Sequence, residues 1–180
     1  MEKILFQQVK NELINGSVKK GHPFKYFTLS TIWKEIPRQR TVVLRKVQPH
    51  LQLVFYTDKR SSKVEHIKQN PMVSALFYHP KKMIQVQVEG KAVVMEHPEM
   101  LRKLWRSIPD KGKRDYTTAL PPGAAIDNPS TLEYLTEDNY FCMVEIQPTR
   151  LEYLKLDRPH HIRMEFIKSG EDWDSSFLIP

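Results

Sequence analysis

FYTDKRSSKVEHIKQNP, residues 55–71, is where an apolar run gives way to hydroxyls and positive charge just before a helical pattern begins. The run LQLVFYT (51–57) has the aromatic and β-branched content of a strand. From about Ser62 to Asn70 the spacing is helical, and Asn70-Pro71 closes it, because the residue before a proline is driven out of the α region. Ser62 and Glu65 stand at the S-x-x-E spacing of a capping box, which predicts the helix N-terminus at Ser62. Such a terminus offers free N–H groups and the positive end of the helix dipole to an anion. Lys63 falls in the first turn, where a cation opposes the dipole by about 0.3–1 kcal/mol unless an anion is bound. These residues alone leave two readings open: a phosphate site, or an ordinary cap with solvated lysines.

Strand patterns flank this stretch on both sides. FKYFTLSTI (24–32) and IPRQRTVVLRKV (36–47) precede it, the latter expected to form a hairpin with 51–57 through Gln48-Pro49-His50. MVSALFYH (72–79) and KMIQVQVEGKAVVME (82–96) follow, turning at Pro80-Lys81. In the second, Ile84, Val86 and Val88 alternate with Gln85, Gln87 and Glu89, and Gly90 signals a bulge or bend. YFCMVEIQPTRLEYLKL (140–156), HIRMEFIK (161–168) and WDSSFLIP (173–180) complete the strands. Helices are expected at the N-terminus, with Ile4, Leu5, Val9 and Leu13 on one face and Gly16 as the stop, and over 97–108 with Pro98 in the first turn. A polar, proline-bearing connector covers 109–130. Many short strands with few helices predict one mainly β (α+β) domain over residues 1–180, an antiparallel, closed or nearly closed barrel with peripheral helices.

The chain has 180 residues, a formal charge of +7 and one cysteine, Cys142. A single cysteine excludes an intrachain disulfide and a cysteine-rich metal site, and suits the cytoplasm. Met1 is followed by Glu2 and Lys3 with no long apolar segment, so neither a signal peptide nor a membrane span is expected. The seven histidines show no metal spacing, so no metal is expected. No glycine-rich phosphate loop of the G-x-G-x-x-G or G-x-x-x-x-G-K type is present. The positive charge leaves nucleic acid, a membrane surface or a phosphorylated small molecule as partner classes, beside a plain solvated surface.

RQRTVVLRK (38–46) is the second concentration of chemistry: Arg38, Arg40, Arg45 and Lys46 bracket Val42, Val43 and Leu44. Arginine suits bidentate grip on phosphate. Arg40 and Arg45 are five apart, so on a regular strand they face opposite ways, and a bulge or an edge-on ligand is needed for both to touch it. No nucleophile motif or acid–base pair is evident, and the catalytic residues stay unassigned.

In order along the chain, RTVVLRKV, LVFYTDKRSSKVEHIKQNPMVSALFY, IQVQVEGKAVV and the tail LEYLKL…HHIRMEFIKSGEDWDSSFLIP resemble the pyridoxamine 5′-phosphate oxidase family, whose fold is the FMN-binding split barrel. The resemblance implies FMN as cofactor and a homodimer with the flavin at the subunit interface. It implies that Arg40, Thr41, Val42, Val43, Leu44 and Arg45 form the strand lining the flavin. By the same resemblance Arg40, Ser61, Ser62 and Lys63 hold the phosphate, while Tyr56, Thr57 and Gln85 contact FMN, Gln85 toward the partner's flavin. Departures are equally specific. Arg45 stands where the family has lysine and Ser62 where it has arginine, with Arg60 two positions earlier as the replacement. Leu104, Ile108, Leu154 and Glu165 stand at positions where the oxidase carries substrate- or flavin-gripping side chains, whereas His161 and Arg163 align with its substrate-gripping pair.

The resemblance therefore implies a flavin-dependent oxidoreductase acting on an unknown small molecule rather than on pyridoxamine phosphate, with Trp105, Arg106 and Tyr116 on the substrate side. Two alternatives remain. One is a non-catalytic split barrel carrying flavin, haem or another large planar cofactor. The other is a basic nucleic-acid-binding barrel using Arg38, Arg40, Arg45 and Tyr56.

Overall fold

A computed structural model describes all 180 residues. α1 (Glu2–Val18) leads into β1 (Tyr26–Trp33) and β2 (Ile36–Val43), then β3 (Lys46–Val47) and β4 (Leu53–Asp58). α2 (Ser62–Gln69), β5 (Met72–His79), β6 (Ile84–Met95), α3 (Pro98–Ser107) and a single turn, α4 (Asp110–Lys113), follow. β7 (Phe141–Lys155), β8 (Ile162–Ser169) and β9 (Asp172–Leu178) end the chain. All pairings are antiparallel, in the order β2-β1-β5-β6-β7-β4-β3, with β8 and β9 branching from the far half of β7. No helix is long and apolar enough to cross a membrane.

The expected barrel is not closed by hydrogen bonds. β2 and β4 do not pair; at Leu44-Arg45 the chain instead leaves β2, paired with β1, for β3, paired with β4. Leu44 N–H donates to the carbonyl of Lys25 at the foot of β1, and Arg45 N–H to that of Val54 on β4. The strand expected over 36–47 is thus broken where it changes partners. The hairpin expected between it and 51–57 shrinks to two residues, Lys46 and Val47 opposite Val54 and Leu53. β2 forms its full hairpin with β1, from Tyr26↔Val43 to Trp33↔Ile36. Lys34 and Glu35 both take positive φ (47° and 64°), the two-residue turn whose twist matches the strands.

One apolar cluster fills the interior. Phe27 and Phe77 stack at 4.8 Å, Phe24 lies 5.2 Å from Phe77, and Leu5, Val9 and Leu13 of α1 close one end. Each such side chain contributes about 1.5–3 kcal/mol on burial. Gly16 does not stop α1, which runs two residues further. A Cβ there would lie 2.6 Å from that of Phe24, so the glycine admits a close helix–turn contact instead. Gly90 does mark the bulge, where β6 and β7 shift register between Glu89 and Gly90. A Cβ at Gly90 would stand 2.1 Å from the Gln147 carbonyl oxygen.

Candidate functional site

The opening between β2 and β4 is where the predicted residues converge. Thr41, Val42, Val43, Arg45, Tyr56, Thr57, Asp58 and Lys63 line one cavity of ≈ 250 Å³, and the connector adds Asp115, Tyr116 and Pro122 from the other side. The break at Leu44 places Arg45 on this cavity without the bulge that a regular strand would need. Leu44 itself is fully buried in the core, so only its backbone faces the site.

At the floor of the cleft, α2 begins. Its N-cap is Ser61 rather than Ser62, and no side chain caps the first turn, so the expected Ser62–Glu65 capping box does not form. The Ser61 hydroxyl instead lies 3.3 Å from Thr57 Oγ1, and both residues are buried. Lys63 Nζ donates to the same Thr57 Oγ1 at 3.0 Å. No carboxylate pairs with Lys63; desolvation and then the charge of Arg40 hold its pKa below the ordinary lysine value. An ammonium, two hydroxyls and an uncapped helix start therefore meet at one point, an arrangement suited to an anion of high charge density.

Arg40 and Ser62 line a neighbouring depression with Trp33, Arg38 and His66. The Arg40 guanidinium is turned inward, donating to Thr31 Oγ1 (2.6 Å), to the carbonyl of Arg38 (2.8 Å) and toward His66 Nδ1 (3.5 Å). An arginine can only donate, so His66 Nδ1 is an acceptor and the ring is neutral. Burial, and then Arg40, depress the His66 pKa accordingly. His66 also stacks on Trp33 at 4.9 Å.

Gln85 is not brought to this cleft. It is not among the residues lining the cavity and lies on the outer face of the sheet, between Tyr78 of β5 and Leu154 of β7. The same face carries a charge network in which Arg150 bonds Glu89, Glu152 and Glu165, and Arg163 bonds Glu152. Arg60 does not take the place of a phosphate-gripping arginine. It is spent on Asp58, on the carbonyls of Thr118 and Ala119, and on the Tyr140 ring, 3.2 Å from its centre.

The upper wall of the cleft is aromatic. Tyr56, Tyr116 and Trp105 surround Phe141 at 5.0, 5.3 and 5.8 Å, and Arg45 stands 5.6 Å from the Tyr56 ring centre. Sequence reasoning did not find Phe141, His66 or Thr31, which sit in strand or helix patterns with no local signal. It also did not find Glu12, His22 and His79, whose ligand-type atoms lie within 4.8 Å of one another away from the cleft. There the Lys82 ammonium pairs with Glu12, and both imidazole Nδ1 atoms accept backbone N–H groups, from Phe24 and Lys82. That polarity leaves the proton on Nε2, whereas a ring ligating through Nε2 carries it on Nδ1.

Comparison with known proteins bears on the family and the fold. The family described as "Pyridoxamine 5'-phosphate oxidase, FMN-binding domain" matches residues 2–96. The pyridoxine/pyridoxamine 5′-phosphate oxidase of Aliarcobacter butzleri is 29% identical over 191 residues, covering 97% of this chain and 87% of that one. Among solved structures, a pyridoxamine 5′-phosphate oxidase-related FMN-binding protein from Nostoc punctiforme superposes with a TM-score of 0.80 at 21% identity, covering 97% and 96% of the two chains. PhzG from Burkholderia lata, in complex with tetrahydrophenazine-1-carboxylic acid, also gives 0.80, at 18% identity over 97% and 92%. At these identities the two structures establish the fold, an open antiparallel split barrel.

Proposed function

Since the chain belongs to the pyridoxamine 5′-phosphate oxidase family through its FMN-binding domain, we propose that it is a flavin-dependent oxidoreductase that binds FMN in the cleft between β2 and β4. The observation that carries this reading is the convergence of Lys63 Nζ, Thr57 Oγ1 and Ser61 Oγ at the uncapped start of α2. No carboxylate is in direct contact with the ammonium, since Asp58, which lines the same cavity, is gripped by Arg60, so a phosphate dianion fits the cluster: the anion replaces lost hydration of the ammonium and accepts the free first-turn N–H groups. Arg40 supports the cradle electrostatically, and Ser62 offers a further hydroxyl at its rim.

Thr41, Val42, Val43 and the Leu44 backbone would flank the ring system, with Tyr56 and Arg45 at its edge. FMN, when bound, supplies the two-electron chemistry, which accounts for a cleft without a nucleophile or an acid–base pair. Arg45 orients a reacting partner and Tyr116 excludes water from above. Gln85, on the outer face, is proposed to serve the flavin of a second copy in a homodimer. The single cysteine, buried and unpaired, is in keeping with a cytoplasmic protein.

Pyridoxamine phosphate is not the proposed substrate. Leu104 and Ile108 bring no charge to the substrate side, Arg163 is paired with Glu152, and Glu165 with Arg150. Binding without turnover remains the second reading, favoured by this absence of free substrate-gripping groups. An absorbance spectrum of the purified protein, with mass spectrometry of the released chromophore, tests both. Release of FMN and bleaching by a hydride donor support the oxidoreductase. FMN that no donor reduces supports the carrier, and a colourless protein that takes up no added FMN overturns both.

A further inference from the structure

Segment 114–140 carries little regular structure, yet its backbone is held in place. Its two arms are zipped by Ala119 N–H to the Glu133 carbonyl, Leu135 N–H to that of Thr117, and an isolated bridge between Thr118 and Tyr134. Tyr140 N–H donates to the carbonyl of Tyr116, and Lys59 N–H to that of Tyr140. These bonds tie the segment to itself and to the end of β4. None of them links the Thr118–Ala119 stretch directly to the body of the protein.

Arg60 does. Its Nε and Nη2 grip the Asp58 carboxylate at 3.1 and 2.7 Å, and the Arg60 N–H adds a third bond to that carboxylate at 2.7 Å. The Asp58 side chain is only 2% exposed, so this end of the strut is fixed in the protein interior. The remaining donors reach across to the connector, Nη1 to the Ala119 carbonyl at 3.0 Å and Nη2 to that of Thr118 at 2.8 Å. The guanidinium carbon also lies over the Tyr140 ring, 3.2 Å from its centre. A planar fork is needed to meet a carboxylate on one side and two carbonyls on the other, which lysine cannot do. Two and three residues upstream of Thr118, Tyr116 and Asp115 line the cleft, and Pro122 lines it three residues beyond Ala119. Tyr116 is buried against Phe141 and faces Arg45.

We infer that Arg60 is a positioning residue for the cleft: it holds the connector as a fixed outer wall, so that Tyr116 closes over Arg45 and Tyr56 and retards the departure of bound flavin. This rests on the proposed FMN site but concerns the wall rather than the phosphate cradle. Loss of the strut loosens the wall and speeds release of FMN and riboflavin by the same factor, because Lys63, Thr57 and Ser61 are untouched.

Arg60→Met and Arg60→Lys are compared with the unchanged protein by two independent readouts. The first is limited proteolysis of the ligand-free protein, which reports the wall whether or not flavin binds. The second is the FMN and riboflavin off-rates by recovery of flavin fluorescence, with far-UV circular dichroism and the thermal midpoint as folding controls. The expected result is preferential cleavage within 114–135 in both variants, with release at least about tenfold faster and an unchanged ratio of the two flavins. Should Arg60→Met fail to fold, Arg60→Lys, which keeps the charge beside Asp58, carries the comparison. Unaltered proteolysis overturns the inference, as does a loosened wall with unchanged off-rates, or a selective loss of FMN over riboflavin. If the unchanged protein binds no flavin, the proposed function fails instead, and the proteolysis still reads the strut.

Discussion

Replacing Lys63 by methionine together with Ser61 by alanine removes the ammonium and one hydroxyl from the α2 cradle while keeping the length of the long side chain. One charge-assisted contact contributes about 1.5–3 kcal/mol and one neutral hydroxyl about 0.5–1.5 kcal/mol, so about 2–4 kcal/mol of FMN affinity is expected to go. At about 1.4 kcal/mol per decade, that raises the FMN dissociation constant about 30- to 700-fold. The stability of the ligand-free protein is pulled both ways, because the variant also removes both hydrogen-bond partners of the buried Thr57 hydroxyl. Desolvation and Arg40 depress the Lys63 pKa, so the charged form is disfavoured in the folded state below the unfolded value. Methionine relieves that cost. Titration of flavin fluorescence with FMN and with riboflavin, alongside thermal unfolding of the ligand-free protein, reads all three quantities. Equal weakening of FMN and riboflavin would refute the assignment of these residues to a phosphate, as would an unchanged FMN constant.

Three further outcomes follow from the fold. Gly90→Ala should destabilise by about 2–4 kcal/mol in urea unfolding, since the new methyl meets the Gln147 carbonyl at 2.1 Å and the bulge must shift. A destabilisation below about 1 kcal/mol would mean that the bulge is soft. Stability should fall as pH drops below about 6.5: burial first of all depresses the folded-state pKa of both His22 and His66, so the unfolded chain binds more protons there, with a slope up to about 1.4 kcal/mol per pH unit for each ring. His66→Asn should flatten that slope, and an identical slope in the variant would remove His66 from the account. Sedimentation at micromolar concentration should show a dimer, and a strict monomer would detach Gln85 from any flavin.

The strands that alternate cleanly were legible in sequence because one buried face defines them, and the strand-to-helix passage at 55–71 was legible because Asn70-Pro71 bounds the helix, although the capping box read at its start does not form. β5 spans the expected residues 72–79, and Gly90 carried its bulge in its identity. The β1–β2 hairpin was not legible. Its turn residues, Lys34 and Glu35, take positive φ without the glycine or asparagine that normally announces it. Gly16 misled for the opposite reason: it has a glycine's usual meaning at a helix end but is set by Phe24, eight residues on, which no local pattern reveals. The break at Leu44-Arg45 follows from long-range pairing, since Lys25 and Val54 must both be in place before the strand can divide between them.

The candidate site shows the same division more sharply, and its arginines show why. Composition gave +7, and the sequence offered Arg38, Arg40, Arg45 and Lys46 around one strand, with Arg60 as the replacement for an arginine absent at Ser62. In the fold they are not alternatives. Arg40 is turned onto Thr31 and His66, and Arg60 is closed around Asp58 and the connector carbonyls. Arg150 and Arg163, spaced innocuously in strand patterns, are absorbed by Glu89, Glu152 and Glu165. What distinguishes Lys63 is that its desolvated ammonium stands at an uncapped helix start, bonded to a hydroxyl and in contact with no carboxylate, and none of this is written in residue type or spacing. A basic sequence therefore localises an anion where the fold leaves a desolvated cation with no carboxylate in contact. By that criterion the start of α2 is the place where a bound phosphate relieves an electrostatic cost the protein already carries.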